Sequence, residues 1–447
     1  MSAAPKPQNA VRDRSGRNEL LFDWNHRALR RPKQPIEVHD ETLRDGLQSP
    51  SVEDPPLSEK IALLELMGRI GVTTANIGLP GAGPRAFQDS LALAKHIAQK
   101  RGSQPMPGAT CAGRTLEADL RPIAEIQQKA GIPVTAYAFI GSSPIRQFVE
   151  GWDSDFLLET SAAAIDFAVR EGVEVAYVTE DTTRSSPKTL EPLFRNAIDH
   201  GASRLVLCDT VGHATPDGSR ALIRWTRRLV DRIRREVKLD WHGHNDRGHA
   251  LTNSLFAVEV GIDRVHGCGL GVGERVGNAP LDLILLNMRL LGWTDQDLSA
   301  LVEYVRQVAH SFKVRIPFNY PLAGSDAFRT ATGVHAAAII KARRKGDAWL
   351  ADRVYSGVPA AEFGKEQQID IGHMSGMSNV AFWLEAHGLP VDERLCKSIL
   401  VRAKERSRTL TSREVLSLVQ AYQASHPRSS PSQRRAARGS GRPPAAT

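Results

Sequence analysis

The feature that most narrows what this chain can fold into is a rhythm. From Ile36 to about residue 292, short apolar segments of strand length alternate eight times with longer segments of helical period. The strand-like segments are 36–40, 72–77, 107–112, 133–140, 173–179, 204–208, 237–241 and 264–268. Between them lie stretches such as 57–70, where Ile61, Leu63, Leu64, Leu66, Met67 and Ile70 recur at helical spacing. Eight strand–helix units over this length match the count and size of a (β/α)8 TIM barrel. An open doubly wound sheet is the alternative. No Gly-x-Gly-x-x-Gly follows the first strand, where a dinucleotide fold would place it, and Gly269-Leu270-Gly271-Val272-Gly273 comes too late to serve.

The alternation stops after residue 292. Residues 293–425 read as a smaller, mainly helical region, with helices expected over 297–312, 333–343, 379–387 and 393–406. Residues 1–35 read as an N-terminal extension. Residues 426–447, built from Ser, Pro, Gly, Ala and Arg, read as a disordered basic tail.

The net charge of +8 raises the question of nucleic acid. The excess sits at the two ends: eight Lys/Arg against three Asp/Glu in 1–35, and five Arg with no acid in 426–447. The folded middle is left near neutrality, so no specific nucleic-acid partner is expected. There is no apolar run of membrane-span length and no apolar segment of signal-peptide type at the N-terminus. Cys111, Cys208, Cys268 and Cys396 are widely spaced and form no Cys-x-x-Cys, which suits free thiols in a reducing cytoplasm. A cytoplasmic location is expected.

In a (β/α)8 barrel, chemistry gathers at the C-terminal ends of the strands. Those ends carry Arg44 and Asp45, Glu180, Thr210, His242 and His244, and, after the eighth strand, Asn278. In His242-Gly243-His244 the two imidazoles share one face of an extended segment. A carboxylate, two imidazoles and an amide oxygen suit an open site for a divalent cation. Each residue also has a plainer reading: Arg44–Asp45 as a surface ion pair, Glu180-Asp181 and Asn278 as helix caps, Asp209-Thr210 as a turn. Their convergence on several strand ends favours the site.

Five segments carry a family resemblance: Thr42-Leu43-Arg44-Asp45-Gly46, Glu180-Asp181, Asp209-Thr210-Val211-Gly212, His242-Gly243-His244-Asn245-Asp246, and Gly271 to Asn278. Together they resemble the metal-dependent barrel enzymes that include 2-isopropylmalate synthase, homocitrate synthase, citramalate synthase and 3-hydroxy-3-methylglutaryl-CoA lyase. The resemblance implies a divalent metal (Mg²⁺, Mn²⁺ or Zn²⁺) held by Asp45, His242 and His244, with Asn278 beside it or also a ligand. It implies acetyl-CoA as co-substrate, adding through its methyl carbon to the carbonyl of a 2-oxo acid before the thioester is hydrolysed. Arg44 would stabilise the alkoxide, Thr210 would bind the substrate carboxylate, and Glu180 would take part in proton transfer near Arg44. Tyr137 falls where isopropylmalate synthases carry a substrate-facing His.

The region beyond the barrel matches the synthases in Ala323 to Phe328, Thr332-Gly333-Val334-His335 and Ser375 to Asn379. By resemblance the protein is a homodimer in which His335 and Tyr355 serve the neighbouring subunit's site and assist acetyl-CoA activation. The lyases place a Cys inside the loop after the eighth strand. Here 269–274 has none, and Cys268 before it reads as a core residue, which favours a synthase. Asn76 stands where the synthases have Glu, and Ala336-Ala337-Ala338 follows His335 where a Gln-Asp pair is usual. These departures bear on the identity of the 2-oxo acid, which stays open among 2-isopropylmalate-, citramalate-, homocitrate- and citrate-forming reactions. A lyase and a non-catalytic barrel are the rival classes.

Overall fold

A computed structural model describes residues 20–25, 31–233 and 235–426. The basic tail and most of the N-terminal extension lie outside the described residues. The eight expected strands are all present: β1 (Glu37–Asp40), β2 (Thr74–Asn76), β3 (Gly108–Arg114), β4 (Val134–Gly141), β5 (Val175–Glu180), β6 (Arg204–Asp209), β7 (Lys238–Gly243) and β8 (Arg264–Gly267). They pair in sequence order, all parallel, and β1 closes on β8 through His39↔His266 and its neighbours. The expected closed (β/α)8 barrel is the observed fold.

Burial explains why these strands were readable as apolar runs. A parallel barrel covers both faces of each strand, and β6 is buried at all six positions. The outer layer of helices is amphipathic. In Pro187–Asp199, for example, Leu190, Leu193, Phe194, Ala197 and Ile198 are buried at helical spacing. Among the described residues no helix is long and apolar enough to cross a membrane.

The chain divides into two compact units, 1–316 and 317–447. The helix Leu301–Ser311, read from sequence as part of the later region, belongs to the barrel unit. The reason is a buried polar clasp: the Tyr304 hydroxyl donates to Asp40 Oδ2 at 2.5 Å and lies 3.1 Å from Thr42 Oγ1. Thr42 Oγ1 in turn accepts from the Gly269 amide, so this helix fixes the loop after β1 to the loop after β8. Burial raises the Asp40 carboxyl to about 6.

The second unit contains a two-stranded parallel ribbon, Arg329–Thr330 with Gln368–Ile369. Around it are the helices Gly333–Arg344, Ala348–Arg353, Met377–Ala386, Glu393–Lys404 and Ser412–Ser425. Its largest core gathers Val380, Leu384, Leu395, Ile399, Ala403 and Val415.

Candidate metal centre and active site

Three side chains converge at the C-terminal mouth of the barrel. His242 is the fifth residue of β7, and His244 follows its last residue. Being two apart on extended backbone, they present their rings to the same side, with Nε2 atoms 3.3 Å apart. Asp45 arrives from the loop after β1. Its Oδ2 lies 3.3 Å from His242 Nε2 and 3.7 Å from His244 Nε2. All three residues are buried.

The donor set fits a divalent cation. The point equidistant from these three atoms lies about 2.0 Å from each, the range of zinc–imidazole bonds. Burial alone would raise the Asp45 carboxyl, but Arg44 and the two imidazoles hold it well below the usual range. Burial pushes His244 down to about 4, so it is a neutral donor at physiological pH. His244 Nδ1 is buried with no hydrogen-bond partner.

Asn278 reaches the same place by a different route. Residue 244 bridges to residue 278 in antiparallel register, which draws the glycine-rich loop after β8 over the site. Asn278 Nδ2 donates to Asp45 Oδ1 at 3.1 Å and to the Val272 carbonyl at 3.0 Å. Both partners are acceptors, so the nitrogen end of the amide faces Asp45. In this arrangement Asn278 orients the Asp45 carboxylate, and its Oδ1, also buried, is unpartnered. Close approach here requires glycine at 273, where φ is +151° and a Cβ would lie 2.2 Å from Asn278 Nδ2.

Arg44 is the fixed cation beside the triad. It donates from Nε to Glu41 Oε2 at 2.9 Å, and its Nη1 lies 3.2 Å from Asp45 Oδ2. Glu180, at the end of β5, is half-buried, and burial raises its carboxyl against the opposing pull of Arg146. Its ion-pair partner is Arg146, at 3.4 Å. The expected pairing of Glu180 with Arg44 is replaced by Arg44 with Glu41, a residue that sequence reasoning passed over. Thr210 Oγ1 accepts from the Asp181 amide at 2.8 Å, which leaves the hydroxyl proton free to donate.

Tyr137 is among the residues lining the cavity. Its hydroxyl donates to Asp240 Oδ2 at 3.1 Å and accepts from Arg264 Nη1 at 2.7 Å, deep in the barrel. Only its ring is left to face the cavity, because the phenol is drawn down by the two charges beneath it.

Arg44, Asp45, Tyr137, Glu180, Thr210, His242 and His244 line one cavity of about 260 Å³, and Asn278 does not reach its lining. Its polar lining includes Arg44, Asp45, Glu180, Thr210, His242 and His244, with Glu41, Gln48, His266, Glu274 and Arg275; its apolar lining includes Leu79, Ala112, Phe139, Val178 and Val206. His335 and Tyr355 lie in the second unit. Their rings stack at 4.1 Å between centroids on an exposed surface.

Sequence reasoning also missed His39, Glu41, Asp240, Arg264 and His266. A signal was present. Glu37, His39 and Glu41 alternate along β1 and its end, as do Asp240 with His242, and Arg264 with His266. Period-two polarity inside otherwise apolar strands marks the face turned into the barrel.

Fold and site together define a class: a (β/α)8 barrel whose C-terminal mouth gathers nitrogen and oxygen donors suited to a divalent cation. A family model described as HMGL-like matches residues 35–308, and the chain belongs to that family. It is 29% identical over 382 residues to the homocitrate synthase AksA of Methanopyrus kandleri, covering 84% of this chain and 89% of that protein. It is 27% identical over 395 residues to the 2-isopropylmalate synthase of Halothermothrix orenii, covering 86% of this chain and 73% of that protein. Among solved structures, the HMG-CoA lyase of Bacillus subtilis matches in fold with a TM-score of 0.54 at 19% identity, over 64% of this chain and 97% of that one.

Proposed function

We propose that the protein is a metal-dependent acyltransferase that condenses acetyl-CoA with a 2-oxo acid, of the 2-isopropylmalate synthase type. The observation that carries this reading is the triad Asp45, His242 and His244 beside Arg44, in a cavity that also has apolar lining at Leu79, Phe139, Val178 and Val206. A divalent cation held by the triad would supply Lewis acidity to the carbonyl and carboxylate oxygens of the 2-oxo acid.

This chain's own residues account for the rest. The Arg44 guanidinium is already oriented by Glu41 and Asp45, so it can stabilise an alkoxide without reorganising. The Thr210 hydroxyl donates to the substrate carboxylate. Burial raises the Glu180 carboxyl, the direction that favours its holding a proton for transfer. His335 and Tyr355, delivered by a second copy of the chain in a homodimer, are assigned to deprotonating the acetyl-CoA methyl.

The cavity argues for an apolar 2-oxo acid. The two cations lining it are already paired, Arg44 with Glu41 and Asp45, and Arg275 with Asp246. A distal carboxylate, as in 2-oxoglutarate or oxaloacetate, would find no unpaired Arg or Lys among the lining residues, and would cost about 1–3 kcal/mol if left without another donor. This weighs against a homocitrate- or citrate-forming reaction. Cys268 is fully buried, and burial pushes its thiol well above the usual range, which weighs against a lyase that uses a reactive Cys near this loop.

The test is thiol release from acetyl-CoA with Mg²⁺ or Mn²⁺ and one 2-oxo acid at a time: pyruvate, 2-oxoisovalerate, 2-oxoglutarate or oxaloacetate. Release with 2-oxoisovalerate or pyruvate is expected. Silence with all four would overturn the reading.

A further inference from the structure

Directly beside the triad lies a second cluster, His39, Glu41 and His266, of which the reaction above uses only Glu41, as a partner of Arg44. All three are buried, and one donor atom from each lies within 4.8 Å of the others. His39 Nε2 is 3.1 Å and His266 Nδ1 3.6 Å from the same oxygen, Glu41 Oε1. Arg44 holds the other carboxylate oxygen, Oε2, so Oε1 is the one turned to the histidines.

The far side of each imidazole is anchored. His39 Nδ1 lies 2.7 Å from Thr74 Oγ1, and His266 Nε2 donates to Asp240 Oδ2 at 3.0 Å. A hydrogen bond from the outer nitrogen to a carboxylate or hydroxyl is what sets ring orientation and tautomer in metal-bound histidines. Hydrogen bonding alone can account for the His39–Glu41 contact. It leaves His266 unexplained. With its proton on Nε2, facing Asp240, His266 turns a lone pair toward the Glu41 carboxylate, and Nδ1 is buried with no hydrogen-bond partner. Two acceptors that face each other in a buried space call for a positive charge between them.

We infer that His39, Glu41 and His266 form a second divalent-cation site, of two imidazoles and one carboxylate, so that the barrel holds two ions per chain. This nitrogen-rich set favours zinc or a similar transition metal over magnesium or calcium. The two sites are neighbours: the His242 and His266 rings lie 5.6 Å apart between centroids, edge to face. Glu41 links the second site to Arg44, so an occupant there would act on the floor of the cavity. The inference holds whichever 2-oxo acid is used, and it stands if the protein turns out not to be a synthase.

The test is metal stoichiometry. The full-length chain is produced with zinc supplementation, gel-filtered without chelator, and measured by plasma mass spectrometry. About two zinc ions per chain are expected, falling to about one in His266→Asn and to about one in His244→Ala. One ion in the wild type, or two retained in His266→Asn, would overturn the proposal. Zinc-edge anomalous scattering from wild-type crystals gives the same answer without a substitution. Two peaks, one among Asp45, His242 and His244 and one among His39, Glu41 and His266, support it. A peak at the first position alone refutes it.

Discussion

Two of the buried polar clusters in the barrel interior differ in one respect. Toward the N-terminal end, Glu37, Arg204, Arg264, Asp240 and Tyr137 partner one another. Arg204 donates to Asp240 at 2.5 Å and to Glu37 at 3.0 Å, and Arg264 donates to Glu37 and Tyr137. No side-chain atom of these five is buried without a partner. At the mouth, His244 Nδ1 and Asn278 Oδ1 are orphaned, and two imidazole nitrogens face one carboxylate oxygen. The first cluster is complete by itself; the second is complete only with something added. Burial and charge are common to both, so neither identifies a site. Incomplete partnering among converged metal-ligand atoms sets the mouth apart.

The comparison is broken or sharpened by substitution. Replacing His242 and His244 together by Ala should abolish metal binding at the mouth. It should lower turnover roughly 10³-fold or more, since a Lewis acid contributes several kcal/mol to the transition state. Steady-state kinetics with parallel metal analysis would show it, and unchanged turnover would remove the mouth cluster from the chemistry. Asp240→Asn should act on the fold instead. It removes the one fully buried carboxylate partner of Arg204 and leaves only the part-exposed Glu37, a loss of up to about 3–5 kcal/mol in urea unfolding, while the divalent cation at Asp45, His242 and His244 should persist.

These two regions were not equally legible. All eight strands could be read because parallel barrel strands are buried on both faces and bounded by Gly, Pro and polar loops. The mouth residues could be read because they cluster within short segments, as in His242-Gly243-His244. The complete cluster below them could not, because its bonds join residues remote in sequence: Glu37 to Arg264 spans 227 positions. The bonds of the Tyr137 hydroxyl were hidden for that reason; its partners Asp240 and Arg264 lie over a hundred residues away. The helix Leu301–Ser311 joined the barrel through Tyr304 and Asp40, 264 residues apart, which no local pattern announces.

Smaller effects follow. In metal-free protein, burial holds His244 near pKa 4, below its ordinary 6.5, so the unfolded chain binds the proton more readily. The sign follows directly. The stability from a neutral His244 is fully present above pH 6.5 and is lost as pH falls toward 4, by up to about 3 kcal/mol. Asp40, raised to about 6, works in the opposite sense as pH rises. Referring wild type to His244→Gln cancels that term: the difference in unfolding free energy should grow in favour of wild type from pH 4 to 6.5. A flat difference would contradict the assigned neutral state. The smallest effect belongs to the rim, where Arg275 pairs with Asp246 in partial exposure. Arg275→Gln should change stability by less than about 1 kcal/mol. A larger loss would mean that the rim carries structural weight the partnering argument denies it.

The central claim is that the incomplete cluster at the mouth is completed by a metal that serves the reaction. Its most direct test is thiol release from acetyl-CoA with 2-oxoisovalerate, before chelation, after exhaustive chelation, and after a divalent cation is restored. The account expects release to vanish and return in step with metal bound at Asp45, His242 and His244. Release that persists undiminished in metal-free protein would contradict it.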